Sequence, residues 1–335
     1  LPDADAALRT GEDARTRALR LFLALLLPIL ILVVEFGVYL FVPRVLSPGN
    51  LRNILIQSSY LVLFASAQMV VILTRGFDLS LGTSVSAVSV ASALVMTSLA
   101  AQGLSPSSVV AAGLAAGLGF GLLIGLFNGS FIAGLHISPF IVTLGSLNIC
   151  LGLATTMSGG RPVFDVPDLL SSLLYNGKFI PGIPVPVLLA VVVCLLLHIL
   201  LSHTVFGRSL YLIGNNPRAA ELAGIPSRRY LMLAYVLAGV LAAFGSLMLT
   251  ARTGSGEPNL GGSLMLESIA AAVIGGVSLQ GGVGGVVPVI LGSLFITMMS
   301  NAMNLLRIDG YIQQIILGVV IIAAIFLDRI RSIRT

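Results

Sequence analysis

Few residues in this 335-residue chain are able to do chemistry, and most of them lie inside apolar runs. Glu35 and Glu267 are carboxylates within such runs; Asn148, Asn301, Asn304, Gln57, Gln68, Gln313 and Gln314 are amides in or beside them, and Asp78 stands just before another. A charged or polar group at membrane depth is costly, so it faces a protein interior or a cavity. Two readings are open for the amides. They can be hydrogen-bonding glue between helices. Grouped around a midplane cavity, they would instead suit a polyhydroxylated neutral ligand, because each offers donors and an acceptor without a fixed charge. On that second reading Asn148, Asn301, Asn304, Gln313, Glu267 and Asp78 are the candidates to line a translocation path. For Asp78 a helix-capping role competes, since a carboxylate is stabilised at a helix N-terminus.

Nothing else points to bond-making. His136, His198 and His203 lack metal-ligand spacing, and no Ser/His/Asp or Cys/His set is placed for catalysis. The run Gly275–Gly285 is Gly-rich, but no Lys followed by Ser or Thr completes a phosphate-binding loop. It reads as a tight turn between closely packed helices, where side chains would clash. Cys150 and Cys194 sit in apolar runs as small hydrophobes. The expectation is a non-enzyme without cofactor or metal.

The most legible local element is GNNPRAAELAGI, residues 214–225. Asn216 suits the N-cap, where its side chain accepts an orphan backbone N–H, and Pro217 suits the first helical position. Arg218 to Ala223 would form a two-turn helix, Gly224 its left-handed C-cap, and Pro226 blocks continuation. Ala219, Ala220 and Ala223 permit close approach, while Arg218 and Glu221 offer directional contacts. Local features allow either an incidental loop helix or a docking element for a partner.

The elements that must position these residues follow from composition. Hydrophobic residues make up 57% of the chain and charged residues 9%. A soluble domain carries about 25% charged residues, so a compact soluble enzyme is excluded and an all-α polytopic membrane protein is implied. A crossing helix needs about 20 mostly apolar residues. Ten runs qualify: 20–42, 53–73, 80–100, 108–133, 138–157, 185–202, 230–251, 264–279, 284–305 and 311–328. Runs 138–157, rich in Gly, Ser and Thr, and 264–279, short and carrying Glu267, are the two that re-entrant segments would also explain. The first run is long and lacks a small-residue cleavage site behind it, so it is expected to be retained. The sequence opens on Leu1 rather than Met, as a trimmed chain would.

The net charge of +5 comes from 17 Arg and Lys178 against 13 acids, and most of these lie between apolar runs. That distribution speaks of topology rather than of a nucleic-acid patch. With the N-terminus inside, 12 of the 18 positive residues fall in inside segments and 6 in outside ones, which favours an N-in, C-in arrangement. Residues 1–19 form a cytoplasmic arm, 20–330 one membrane domain, and 203–229 its main cytoplasmic loop. Residues 65–82 faintly echo 244–261, with Arg75 inside and Arg252 outside, as an inverted repeat would require.

Five stretches, in order over roughly residues 50–330, resemble the membrane-spanning permeases of ribose/xylose/simple-sugar ATP-binding cassette (ABC) importers. Gly76-Phe77-Asp78-Leu79-Ser80-Leu81-Gly82 resembles the family's GGIDLSVG segment, and Pro139-Phe140-Ile141-Val142-Thr143-Leu144-Gly145 its PFIVTLG segment. Phe206-Gly207-Arg208, Gly214-Asn215-Asn216 and Ala219-Ala220-Glu221-Leu222-Ala223-Gly224-Ile225 resemble its coupling loop. Gly275 to Gly284 resembles its GGTSLxGGxG turn, and Asn301-Ala302-Met303-Asn304-Leu305-Leu306 its NGLNLL stretch. Arg75 stands where a small residue is common, Phe77 replaces Ile or Gly, and Asn215 replaces a Gly.

The resemblance implies a multi-pass protein of a bacterial inner membrane that moves a monosaccharide or related polyol inward. It implies a separate cytoplasmic ATPase, a periplasmic or surface sugar-binding protein, and a second permease subunit, commonly an identical one. Asn216, Pro217, Arg218, Ala219, Glu221, Leu222 and Gly224 become the coupling helix that docks in the ATPase. Two alternatives differ in cargo or energy source: a cassette permease for nucleosides or branched-chain amino acids, and a proton- or sodium-driven carrier using Glu35 and Glu267.

Overall fold

The computed structural model describes residues 42–334, with Val33, Phe36, Gly37, Tyr39 and Leu40 before them, and the side chains as far as Phe326. Residues 1–19 and most of the first apolar run, Glu35 included, lie outside the described residues. A 3-10 turn Pro43–Leu46 leads into twelve helices: α1 Pro48–Leu73, α2 Leu81–Ala101, α3 Pro106–Gly129, α4 Pro139–Ser158, α5 Asp168–Ser171, α6 Val185–His203, α7 Val205–Asn215, α8 Pro217–Leu222, α9 Ser227–Thr253, α10 Leu264–Ile274, α11 Val286–Leu305 and α12 Gly310–Arg334. No named strand occurs among the described residues.

The starts of these helices are written in the sequence. Ser47-Pro48, Ser105-Pro106, Ser138-Pro139 and Asn216-Pro217 each place an N-cap type before a first-turn proline. The Ser47, Ser105 and Asn216 side chains accept from Asn50, Ser108 and Ala219 backbone N–H groups. Pro loses nothing there, because the first N–H groups of a helix have no intrahelical partner. Left-handed Gly159 and Gly254 end α4 and α9.

Seven described helices are long and apolar enough to cross a membrane: α1, α2, α3 with its π-turn extension Ser130–Gly134, α4, α6, α9 and α11. The Gly-rich run 138–157 forms a continuous 20-residue helix, α4. At 1.5 Å per residue that is about 30 Å, enough for the hydrocarbon core. The run 264–279 differs from the expectation of a span: only Leu264–Ile274 is helical, 11 residues, or about 16 Å. The apolar part of α12 is also shorter, Gly310–Phe326.

Helix α1 is the hub. It is buried along almost its whole length from Ser58 to Leu73 and packs against α6, α9, α10 and α11. The closest helix pair is α3 with α9. Gly113, Gly117, Gly121, Gly125 and Gly129 recur every four residues along α3, so they share one face. A Cβ at Gly117 would meet Leu247, at Gly121 the Gly239 carbonyl, at Gly125 the Tyr235 carbonyl and at Gly129 Met232. Small residues let two backbones approach, the main source of helix association where no hydrophobic effect operates.

The second half of the bundle repeats the packing of the first. α9 packs on α3 as α1 packs on α11; α2 packs on α3 as α10 packs on α11; α2 meets α4 as α10 meets α12; and α9 meets α2 as α1 meets α10. Local geometry repeats as well. Arg75 after α1 and Gly254 after α9 are both left-handed, at φ 64° and 69°. So are Gly103 after α2 and Gly276 after α10, and His136 before α4 and Arg307 before α12. This register sets Arg75 opposite Gly254 rather than Arg252. At the centre Gly82 and Gly261, equivalent in the two halves, pack backbone on backbone, each leaving no room for a Cβ on the other.

The two ends of the bundle are distinct. At one, the α1–α2, α7–α8 and α10–α11 connections meet: the Gly282 N–H donates to the Leu73 carbonyl and Arg75 reaches Gly214. At the other, the start of α1 meets the end of α11 through Asn50 and Asn301. Gly121→Val is expected to destabilise the protein by about 1–3 kcal/mol through overpacking. Gly119→Val, where a Cβ meets nothing within 4 Å, is expected to leave it unchanged. Thermal melting in detergent, read by a thiol-reactive dye on the two buried cysteines, checks both.

Candidate functional site

The end at which three connections meet carries the most organised polar architecture. It is built from α7, whose first residues are capped by the Thr204 side chain accepting from the Gly207 N–H at 3.3 Å. Gly207 lies against the backbone of Leu201, and Gly214 against the Leu73 carbonyl and Gly282, so α7 fits only with hydrogen at both positions. Tyr211 donates to the Gly284 carbonyl at 2.9 Å, and burial raises its phenol above the ordinary value.

Helix α8 follows without a spacer. Asn216 is extended and its side chain accepts from the Ala219 N–H at 3.0 Å. The six-residue helix closes with Gly224 N–H to the Glu221 carbonyl and Ile225 N–H to the Ala220 carbonyl, Gly224 being left-handed at φ 75°. So short a helix does not persist by propensity; its caps and the rigid mount of α7 hold it. Only Ala220 of the helix is buried. Arg218, Ala219 and Glu221 are exposed, and Leu222 is 84% exposed. A cation, a carboxylate and an apolar side chain are thus presented together on a fixed helix.

Arg75 ties this mount to the bundle. A left-handed backbone costs a residue other than Gly about 1–2 kcal/mol, and Arg75 has φ 64°. Its guanidinium donates from Nε to the Gly214 carbonyl at 2.6 Å and from Nη2 to the Asn215 carbonyl at 2.7 Å. These are the last two carbonyls of α7, which lack partners within the helix and carry the negative end of its dipole.

Three residues on, the chain is buried. Asp78 is 6% exposed, and its Oδ1 accepts from the Ser80 N–H at 2.9 Å and the Ser80 hydroxyl at 2.5 Å. Burial pushes its carboxyl above the ordinary range, and the two Ser80 bonds oppose that. The capping expectation needs correction: Ser80 occupies the N-cap of α2, and Asp78 holds Ser80. From Ser80 the bonding continues. Asn128 of α3 donates its amide to the Ser80 hydroxyl at 3.1 Å, and Ser146 of α4 donates to Asn128 Oδ1. Tyr235 of α9 donates to the Phe77 carbonyl at 3.4 Å. Four elements thus share one polar cluster, and Ser146 with Cys150 forms the floor of an apolar groove between α3 and α4.

The six path candidates fall into different settings. Asp78 belongs to the buried cluster. Asn301 is buried and exchanges reciprocal amide bonds of 2.9 Å with Asn50, which also donates to the Val45 carbonyl. Asn304 accepts from Gln313, which also donates to the Ile308 carbonyl, so this pair fastens α12 to the end of α11. Glu267 is half-buried in the first turn of α10. Asn148 is exposed on α4, bonded only to the Leu144 carbonyl of its own helix, and shares its face with Gly145 and Gly152, where a Cβ would meet nothing within 4 Å. Among the described residues no group of His, Cys, Asp or Glu forms a metal site. Sequence reasoning passed over Asn50, Asn128, Ser146 and the Arg75 contact. The every-fourth-residue glycines of α3 were visible and would have paired α3 closely with another helix.

A family model described as "Branched-chain amino acid transport system / permease component" matches residues 50–325. The chain belongs to this permease family. It is 36% identical over 330 residues to the probable ABC transporter permease protein y4mJ of Sinorhizobium fredii, covering 98% of this chain and 95% of that one. It is 37% identical to the ribose import permease protein RbsC of Bacillus subtilis, covering 87% and 88% of the two chains. It is 35% identical to the L-arabinose transport system permease protein AraH of Escherichia coli, covering 88% and 86%. No solved structure matches. As a permease component the chain is a multi-pass inner-membrane transport protein and not an enzyme. Membership in the ABC importer permeases implies an ATPase and a binding protein as partners.

The Asn50–Asn301 pair predicts a measurable coupling. Asn301→Ala is expected to cost about 1 kcal/mol, in the range of interhelical polar contacts in membranes. Asn50→Ala added to Asn301→Ala is then expected to cost little more, which a double-mutant melting cycle reads.

Proposed function

We infer that this chain is the permease subunit of an importer that moves a monosaccharide or related polyol into the cytoplasm. A separate ATPase drives it, a binding protein delivers the sugar, and a second, identical permease subunit completes the path. The observation that carries the docking part is α8: a doubly capped, exposed helix on a mount that tolerates no side chain at Gly207 or Gly214. A helix so held transmits a push as a rigid body. The end of the bundle that carries it is read as cytoplasmic, in an N-in, C-in arrangement of ten membrane segments. In that arrangement α10 together with residues 254–263 makes one crossing. The paired packings of the two halves support an inverted repeat relating α1–α4 to α9–α12.

The sugar reading draws on the ribose and arabinose relatives and on the chemistry of α4. Asn148 presents an amide at mid-helix on an exposed face with Gly145 and Gly152. An exposed amide is costly against lipid and well matched to hydroxyls in a path between two copies. Asn301 and Asp78 have committed partners and are assigned to holding helices in place.

In the assembled complex, Glu221→Arg is expected to abolish sugar-stimulated ATP hydrolysis while membrane insertion stays normal. Unchanged stimulation would remove the coupling assignment. Asn148→Cys is expected to react with a small polar thiol reagent in at least one nucleotide state, and inertness in every state would take Asn148 out of the path.

A further inference from the structure

Resting on that reading, we propose that Arg75 is the positioning residue through which movement of α8 reaches the path helix α4. Arg75 stands in a left-handed conformation that favours glycine. What an arginine adds there is the pair of bonds to Gly214 and Asn215, the two residues immediately before the α8 N-cap. Its aliphatic part also fills the space beside Gly281, where a Cβ would lie 2.5 Å from Arg75 Cγ. One side chain therefore interlocks the α1–α2, α7–α8 and α10–α11 connections.

From Arg75 a short segment enters the buried cluster. Gly76 has no room for a Cβ, Phe77 is held through its carbonyl by Tyr235, and Asp78 is bonded to Ser80. Ser80 leads by hydrogen bonds to Asn128 and Ser146, and Ser146 lies two residues before Asn148 on α4. The Asp78–Ser80–Asn128–Ser146 bonds are directional and buried, so a displacement of the α7–α8 junction that reaches Asp78 is carried along them instead of being absorbed by a slack loop. α8 and α4 make no direct packing contact of note; α7 and α8 also touch α9, and the Arg75 connection is the hydrogen-bonded route between α8 and α4.

The test compares Arg75→Gly and Arg75→Lys with the unmodified chain, each co-expressed with its ATPase and placed in nanodiscs. Arg75→Gly removes both bonds and relieves the left-handed backbone, so the fold is expected to persist. Arg75→Lys keeps one charge but loses the two-pronged geometry. The readouts are ATPase co-purification, basal hydrolysis, and the change in Asn148→Cys labelling rate on adding ATP with vanadate. Expected are normal co-purification and basal hydrolysis in all three, at least a tenfold loss of the nucleotide-dependent labelling change in Arg75→Gly, and partial recovery in Arg75→Lys. A full labelling change in Arg75→Gly would overturn the proposal.

A second measurement needs no partner. Spin labels at Arg218→Cys and His136→Cys, both exposed, report the distance from α8 to the α3–α4 connection in the chain alone, the native cysteines being buried. Arg75→Gly is expected to broaden that distance distribution, and an unchanged distribution would overturn the clip. Failure of any ATPase to co-purify with the unmodified chain would instead defeat the docking reading, and the spin-label distances would still decide the role of Arg75.

Discussion

A buried helix interruption must find hydrogen-bond partners within the protein, and this constraint organises the molecule. Two interruptions matter, residues 74–80 after α1 and 254–263 after α9. Each carries side-chain hydrogen bonds to its backbone. Asp78 holds Ser80 in the first. In the second, Ser255 holds Glu257, Ser89 of α2 accepts from the Glu257 N–H, and Ser86 of α2 accepts from the Gly261 N–H. The interruptions lie against the opposite half of the bundle, and Gly82 and Gly261 let them touch. The second interruption is bonded by α2 of the first half, while the first is bonded mainly within its own half and receives Tyr235 from the second.

Much of this was legible. Asn216-Pro217 and the cap residues around α8 gave that helix almost to the residue, whereas sequence reasoning passed over the Ser-Pro pairs that start α1, α3 and α4. Apolar runs marked the long helices. What escaped was long-range. The sequence offers 264–279 as one apolar run, yet its last residues are the Gly275-Gly276 turn, pressed on the Pro288 carbonyl of α11; composition does not reveal that contact. The amides looked alike along the chain, but only their partners separate Asn301, tied to Asn50, from Asn148, bonded to its own helix. The repeat showed faintly in residues 65–82 and 244–261. Its stronger trace, left-handed His136 and Arg307 before α4 and α12, needed backbone angles.

The chemistry is consistent with a subunit that moves a neutral solute and leaves energy conversion to a partner. Carboxylates near the bundle interior are few; Asp78 is engaged with serine and does not face an open space. Polar groups instead fasten helices, as in the Ser89–Thr250 hydroxyl pair at 2.7 Å and Ser246 donating to the Val85 carbonyl at 2.6 Å. On the proposed reading, the exposed α8 helix and the exposed amide face of α4 each meet a different partner.

On the proposed reading a sugar, presented by a binding protein, is carried at the expense of ATP hydrolysed by a docked ATPase. The most direct measurement reconstitutes the chain with its ATPase in liposomes and screens pentoses, hexoses, polyols, nucleosides and branched-chain amino acids. Hydrolysis is expected to rise with one sugar or polyol, and only when the binding protein is present. Stimulation by an amino acid or nucleoside instead, or no response to any solute in an assembled and hydrolysing complex, would contradict it.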